Sequence, residues 1–120
     1  MSVRVAIVND DELTRAGTVA ILATCPEVEV VSATNHVDAI GPWHDIEVAL
    51  VDASDFRRSD DHFPGVGIVE SIRATGNPAC TIIVLTGVVA DDVVRRRMRE
   101  AGADSYYHRS ELLSASTLVA

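Results

Sequence analysis

Four stretches of this chain rich in apolar residues run into side chains able to do chemistry. Val5-Ala6-Ile7-Val8 leads into Asn9, Asp10 and Asp11, and Val48-Ala49-Leu50-Val51 leads into Asp52. Ile82-Ile83-Val84-Leu85 leads into Thr86, and Ala103-Asp104-Ser105-Tyr106-Tyr107 leads into His108 and Arg109. Several carboxylates gathered in one crevice repel one another and need a hard cation to coexist ionised, for which Mg²⁺ with its retained waters is suited. A carboxylate in such a place can attack phosphorus and form an acyl phosphate. A hydroxyl such as that of Thr86 and a fixed cation such as Arg109 would then hold the phosphoryl oxygens.

Whether these residues meet depends on the elements that carry them. The three uninterrupted apolar runs, rich in β-branched residues, predict strands covered on both faces. Two alternating segments, 28–33 and 103–108, predict more exposed edge strands. Helical periodicity appears between them. Leu13, Ala16, Ala20 and Ala23 are spaced for a helix over 13–24, as are Val66, Val69, Ile72 and Arg73, and Val94, Met98 and Ala101. Asp91 is placed to cap the last of these and Gly102 to stop it. A short helix over 36–43 ends at Gly41-Pro42, with Trp43 reading as a surface wedge, and a weaker helix over 112–119 closes the chain. The order is β-α five times over. Right-handed crossovers then give an α/β, flavodoxin-like, doubly wound parallel sheet of five strands, order 2-1-3-4-5, with helices on both faces. In that fold ligands bind beyond the carboxyl ends of the strands, where Asp10, Asp52, Thr86 and Arg109 fall.

Composition removes several alternatives. The chain has 120 residues and a net charge of −8, and all ten basic residues are Arg. Without Lys there is no P-loop or Schiff-base chemistry. The acidic balance opposes direct binding to nucleic acid or an anionic membrane. Cys25 and Cys80 lack metal or redox spacing and read as reduced thiols of a cytoplasmic protein. No stretch reaches membrane-spanning length. His36, His44, His62 and His108 show no ligand spacing. A haloacid-type phosphatase would need a second Asp two residues after the nucleophile, where residue 54 is Ser, so the chain reads as no enzyme.

The segments VAIVNDDELTRAG, VALVDAS, TIIVLTG and AGADSYYHRSEL, spaced along nearly the whole length, give the chain a family likeness. It resembles the receiver domain of bacterial two-component response regulators, of the type preceding LuxR-type helix-turn-helix output domains. The resemblance implies that residues 1–120 form one receiver domain, with the DNA-binding output domain outside this chain. It implies Asp52 as phospho-acceptor, Thr86 as the hydroxyl that follows the phosphoryl group, Tyr106 as the aromatic switch, and Asp10 with Asp52 as ligands of Mg²⁺. A sensor histidine kinase would be the donor. Self-association through the fourth helix, fifth strand and fifth helix would carry the response to transcription, with DNA contacted only through the output domain.

The chain departs from that pattern in three places. Counting back from Arg15 sets the family's acidic pair at Asn9 and Asp10, so one acid has become an amide and metal binding weakens; a shift of one residue would set it at Asp10 and Asp11. Arg109 stands where the family has Lys, a planar fork in place of a point charge. The connection after Asp52 is long, and its Asp55, Asp60 and Asp61 either supply the missing charge or form a solvated acidic loop. Arg95, Arg96, Arg97 and Arg99 are a solvated helix face or a partner surface. Two functions remain open: a receiver phosphorylated on Asp52, and a pseudo-receiver serving as a dimerisation or ligand-sensing module without phosphorylation.

Overall fold

The computed structural model describes residues 2–53, 64–86 and 92–108. Along the chain these form β1 (Val3–Val8), α1 (Glu12–Leu22), β2 (Val28–Thr34), β3 (Val48–Val51), α2 (Pro64–Thr75), β4 (Thr81–Thr86), α3 (Asp92–Ala101) and β5 (Ser105–His108). The five strands make one sheet in the order β2-β1-β3-β4-β5, every neighbouring pair parallel. The alternating edge strand behaves as its sequence predicts: β2 hides every second residue only in part and exposes those between. The uninterrupted run in β1, by contrast, buries all four residues from Val5 to Val8.

Two apolar clusters cover the two faces of the sheet. Val5, Ile7 and Leu50 pack with Leu22 and Val19 of α1. Ala6, Val8, Ala49, Val51, Ile82 and Val84 pack on the other face with Val69 and Ile72 of α2 and Met98 of α3. Strand residues alternate between the clusters because successive side chains leave a strand on opposite sides. Each fully buried Ile or Val contributes about 1.5–3 kcal/mol relative to exposure.

The helix ends follow local chemistry. Pro64 opens α2, where its missing N–H costs nothing. Gly102, at φ +118, ends α3 in a left-handed cap. There the Gly102 N–H donates to Arg99 O and the Ala103 N–H to Met98 O, which satisfies carbonyls that the helix leaves open.

Three expectations need correction. The helix over 36–43 does not form. Gly41 sits at φ +82 before Pro42, and what precedes them is too short to nucleate a helix. The segment still delivers Ala39, Trp43 and Ile46 to the core, so Trp43 is a buried anchor and not a surface wedge. In α1 the apolar spacing does not mark the inner face: Leu13 is 83% exposed, whereas Thr18 and Leu22 are buried. Thr18 tolerates burial because its hydroxyl donates to Thr14 O, 2.7 Å away. The closing helix over 112–119 and the Asp91 cap lie outside the described residues.

Candidate functional site

Register fixes what meets at the carboxyl edge of the sheet. Val8 pairs with Val51, Val51 with Val84 and Val84 with Tyr106, so these four residues form one row across the sheet. Beyond that row β1 releases Asn9 and Asp10, β3 releases Asp52, and β4 continues to Thr86, level with His108 of β5. The Asp52 N–H donates to Val8 O at 2.8 Å and the Asn9 N–H to Thr34 O at 2.8 Å, which binds the three strand ends together.

Asp52 is buried, with 8% of its surface exposed. It is also crowded from the far side: a Cβ on Gly65, in the first turn of α2, would collide with the Asp52 carbonyl oxygen and reach within 2.9 Å of Ala53 Cα. Glycine at 65 therefore lets α2 approach the backbone that presents Asp52. The Gly65 N–H donates to Ala53 O and ties the two segments.

The acids after β1 take different roles. Asp11 caps α1, accepting from Leu13 N at 3.1 Å and from the Thr14 hydroxyl at 2.7 Å. Asn9 is buried; its side-chain oxygen accepts from the Asp11 N–H, and its carbonyl accepts from Arg15 at 2.6 Å. Asp10 reaches across to the segment after β2, where its Oδ1 accepts the His36 N–H at 2.8 Å.

His36 connects these pieces, and its place in the sequence gave no ligand-type spacing to flag it. Its ring is buried, with Nδ1 3.0 Å from Asp10 Oδ1 and Nε2 2.8 Å from the Asp52 carbonyl oxygen. The first approach has the closeness of an ion pair without the alignment of a hydrogen bond. The signal that could have found it is position: His36 follows β2 by two residues, at the same carboxyl edge as the acids.

Tyr106 packs against the larger core cluster, and the Arg95 guanidinium carbon lies 5.2 Å from its ring centre, a cation–π contact. Arg95, Arg96, Arg97 and Arg99 are exposed. Arg109, Asp55, Asp60 and Asp61 lie outside the described residues, as do the side chains of Thr86 and His108. Among the described residues no three His, Cys, Asp or Glu side chains are gathered as for a metal ion. Asp10 is turned onto His36, so the donors as arranged do not fit a divalent cation. No helix among the described residues is long and apolar enough to cross a membrane.

No family model matches the chain, and no curated protein matches it. Solved structures do. The chain is similar to the response regulator DrrB of Thermotoga maritima, an OmpR/PhoB homologue, at 24% identity and a TM-score of 0.72, covering 99% of this chain and 50% of that one. It thus spans about half the length of that regulator. Against the BeF3-activated DrrB receiver domain alone, the same 24% identity and TM-score of 0.72 cover 99% of this chain and 92% of that one. The signal receiver domain of NarL from Mycobacterium tuberculosis matches at 19% identity and a TM-score of 0.71, covering 98% and 94%. A Burkholderia pseudomallei response regulator, holding a phosphorylated aspartic acid, a calcium ion and citrate, matches at 22% identity and a TM-score of 0.71, covering 97% and 64%. The chain has the fold of response-regulator receiver domains, with the 2-1-3-4-5 parallel sheet flavodoxin-like as expected.

Proposed function

We propose that this chain is a signal-receiving domain that accepts a phosphoryl group on Asp52. The observation that carries the reading is the placement of Asp52: buried at the carboxyl end of a central strand, beside the segment that bears Asp10, in the crevice where this fold binds ligands. An Asp52 carboxylate oxygen attacks phosphorus, a P–O bond forms, and the donor's bond to phosphorus breaks with its electron pair leaving on the donor. The product is an acyl phosphate on a domain that otherwise turns nothing over, hence not an enzyme in the ordinary sense. The phosphorylated aspartate of the Burkholderia regulator supports the same chemistry here.

The donor in this reading is a sensor histidine kinase in the cytoplasm. The new charge, about −1.5 to −2, falls beside Asp10 and calls for cations nearby. Arg109, following β5, is the residue assigned to answer it, and Thr86 at the end of β4 the hydroxyl that follows it. Tyr106 and the α3–β5 face with its arginines then change self-association, and a LuxR-type DNA-binding domain outside this chain would carry the output. Asp10 and Asp52 would be the residues to hold Mg²⁺ in this reading, and Asp10 would have to leave the contact it makes with His36.

One observation favours the pseudo-receiver reading. The buried amide Asn9 and the His36 ring together leave Asp10 engaged before any ligand arrives. Intact-mass measurement after incubation with acetyl phosphate separates the two. The receiver gains one phosphoryl mass and Asp52→Asn gains none, whereas a pseudo-receiver gains none in either form.

A further inference from the structure

We propose that the cavity between β2 and the segment leading to β3 is a binding site for a small organic cation that carries a hydroxyl group. The proposal goes beyond the receiver reading and does not depend on any chemistry at Asp52.

The cavity has a volume of about 220 Å³ and is lined by Ser32 and Thr34 of β2 and by Asp38, Ile40, Trp43 and Asp45 of the following segment. It is small beside the roughly 300–1,000 Å³ of drug-sized pockets, so its occupant is a small molecule. Its polar floor comes from a skip in the sheet register. Val5 pairs with Val30, but Ala6 pairs with Ser32 and Val8 with Thr34, so β2 passes over Val31. A continuous register would turn Val31 and Ala33 onto the face of Ala6 and Val8, where Trp43 and Ile46 pack. The skip turns Ser32 and Thr34 there instead, as an extra residue in a strand re-aims those that follow it. The sequence had apolar side chains for this face, and the fold sets two hydroxyls against the cavity in their place.

Trp43 supplies a second, independent observation. It is buried, with 5% of its surface exposed, and its indole Nε1–H has no acceptor among the described residues. A Cβ on Gly41, itself part of the cavity wall, would stand 3.1 Å from Nε1, so the N–H lies directly behind that wall. A buried donor left unbonded carries its full desolvation cost, which an oxygen admitted at the Gly41 rim would relieve. The mouth of the cavity sets the charge. Asp45 is met by Arg4 at 2.8 Å, whereas the exposed Asp38 carboxylate has no partner among the described residues. An anion is repelled there. A cation with an apolar body meets Asp38 at the mouth and the indole and Ile40 beside it. A hydroxyl on the same molecule accepts from Nε1–H and donates to Ser32 or Thr34.

The test is an NMR titration of the isotope-labelled chain with choline at constant ionic strength. The control probe is choline's neutral isostere, in which a tert-butyl group replaces the trimethylammonium. Trp43 is the only tryptophan, so one indole N–H signal reports the site. Choline is expected to move that signal downfield and saturably, and to bind at least about threefold more tightly than the neutral alcohol. Asp38→Asn should bind choline about threefold more weakly and the alcohol unchanged. Ile40→Lys, at a position 86% exposed, should lose choline binding because a cation then stands at the mouth. Both substitutions fall on exposed side chains, and the same spectra show that each variant is folded. An indole signal that choline leaves unmoved overturns the proposal. So does equal binding of the two probes, or either variant binding choline as the parent does. No arm involves phosphoryl transfer, so failure of this site and failure of Asp52 to accept phosphate are read separately.

Discussion

Two glycines of α2, two positions apart, should respond in opposite directions to the same substitution. Gly65→Ala sets a methyl against the Asp52 carbonyl oxygen and within 2.9 Å of Ala53 Cα, contacts closer than real Cβ atoms show. Both neighbours are backbone and cannot rotate aside, so α2 or the end of β3 must move. Overpacking of that kind costs ~1–3 kcal/mol. Exchanging Gly for Ala in a helix recovers up to ~1 kcal/mol, and less in a first turn. The clash wins, and Gly65→Ala should be destabilised by ~1–2 kcal/mol. Gly67 is exposed, and a Cβ there meets nothing within 4 Å. Gly67→Ala should therefore gain ~0.5–1 kcal/mol from propensity alone. Thermal unfolding followed by circular dichroism reads both; at roughly 4 °C per kcal/mol the two variants should lie on opposite sides of the parent. Gly65→Ala melting as high as Gly67→Ala would refute the close approach of α2 to Asp52, and with it the account of how that residue is held.

Arg73 ties three elements together, donating to Gly102 O, Cys80 O and Asp104 Oδ2 at 2.7–2.8 Å, and Asp104 Oδ2 in turn accepts from Ile82 N. Arg73→Met should lower stability by ~3 kcal/mol in urea unfolding, since two carbonyls and a carboxylate lose a charged donor. Asp11→Ala should cost ~1 kcal/mol through the lost α1 cap while leaving any Asp52 adduct in the intact-mass assay unchanged. Burial pushes the Cys80 thiol up, against a smaller downward pull from Arg73, so in the native protein a thiol reagent should label the half-buried Cys25 well before Cys80. Because the folded thiol keeps its proton longer than the unfolded one, its contribution is complete below the unfolded value and is lost as pH rises through the raised one; Cys80→Ala should flatten the fall in stability above about pH 9.

The sheet was the most legible part of the molecule. Val5–Val8, Val48–Val51 and Ile82–Leu85 read as strands covered on both faces from their length and β-branched content, and they form β1, β3 and β4. The alternation in 28–33 marked an edge strand in the same way. What the sequence obscured were cases where one pattern serves two structures. Ala39, Trp43 and Ile46 reach the core from an irregular segment as well as from a helix, and only the Gly41-Pro42 pair argued against the helix. In α1 the alanines set a periodicity that outweighed a buried threonine, because a hydroxyl bonded to its own helix is indistinguishable in sequence from an exposed one. Asp10 and Asp52 could be placed at one edge by counting from strand ends. His36 could not be recognised by spacing, since the contact that gives it meaning joins the ends of β1, β2 and β3, and it emerges only when those strands lie side by side.

The central claim is that Asp52 is the residue to which phosphate is transferred. It is tested most directly by exposing the chain to acetyl phosphate, trapping any acyl phosphate with borohydride, which reduces the modified aspartate to homoserine, and locating the change by fragment mass spectrometry. Homoserine confined to position 52 is the predicted result. A reduced residue at Asp10, Asp11 or elsewhere, or none at all in a chain shown to be folded, would contradict the account.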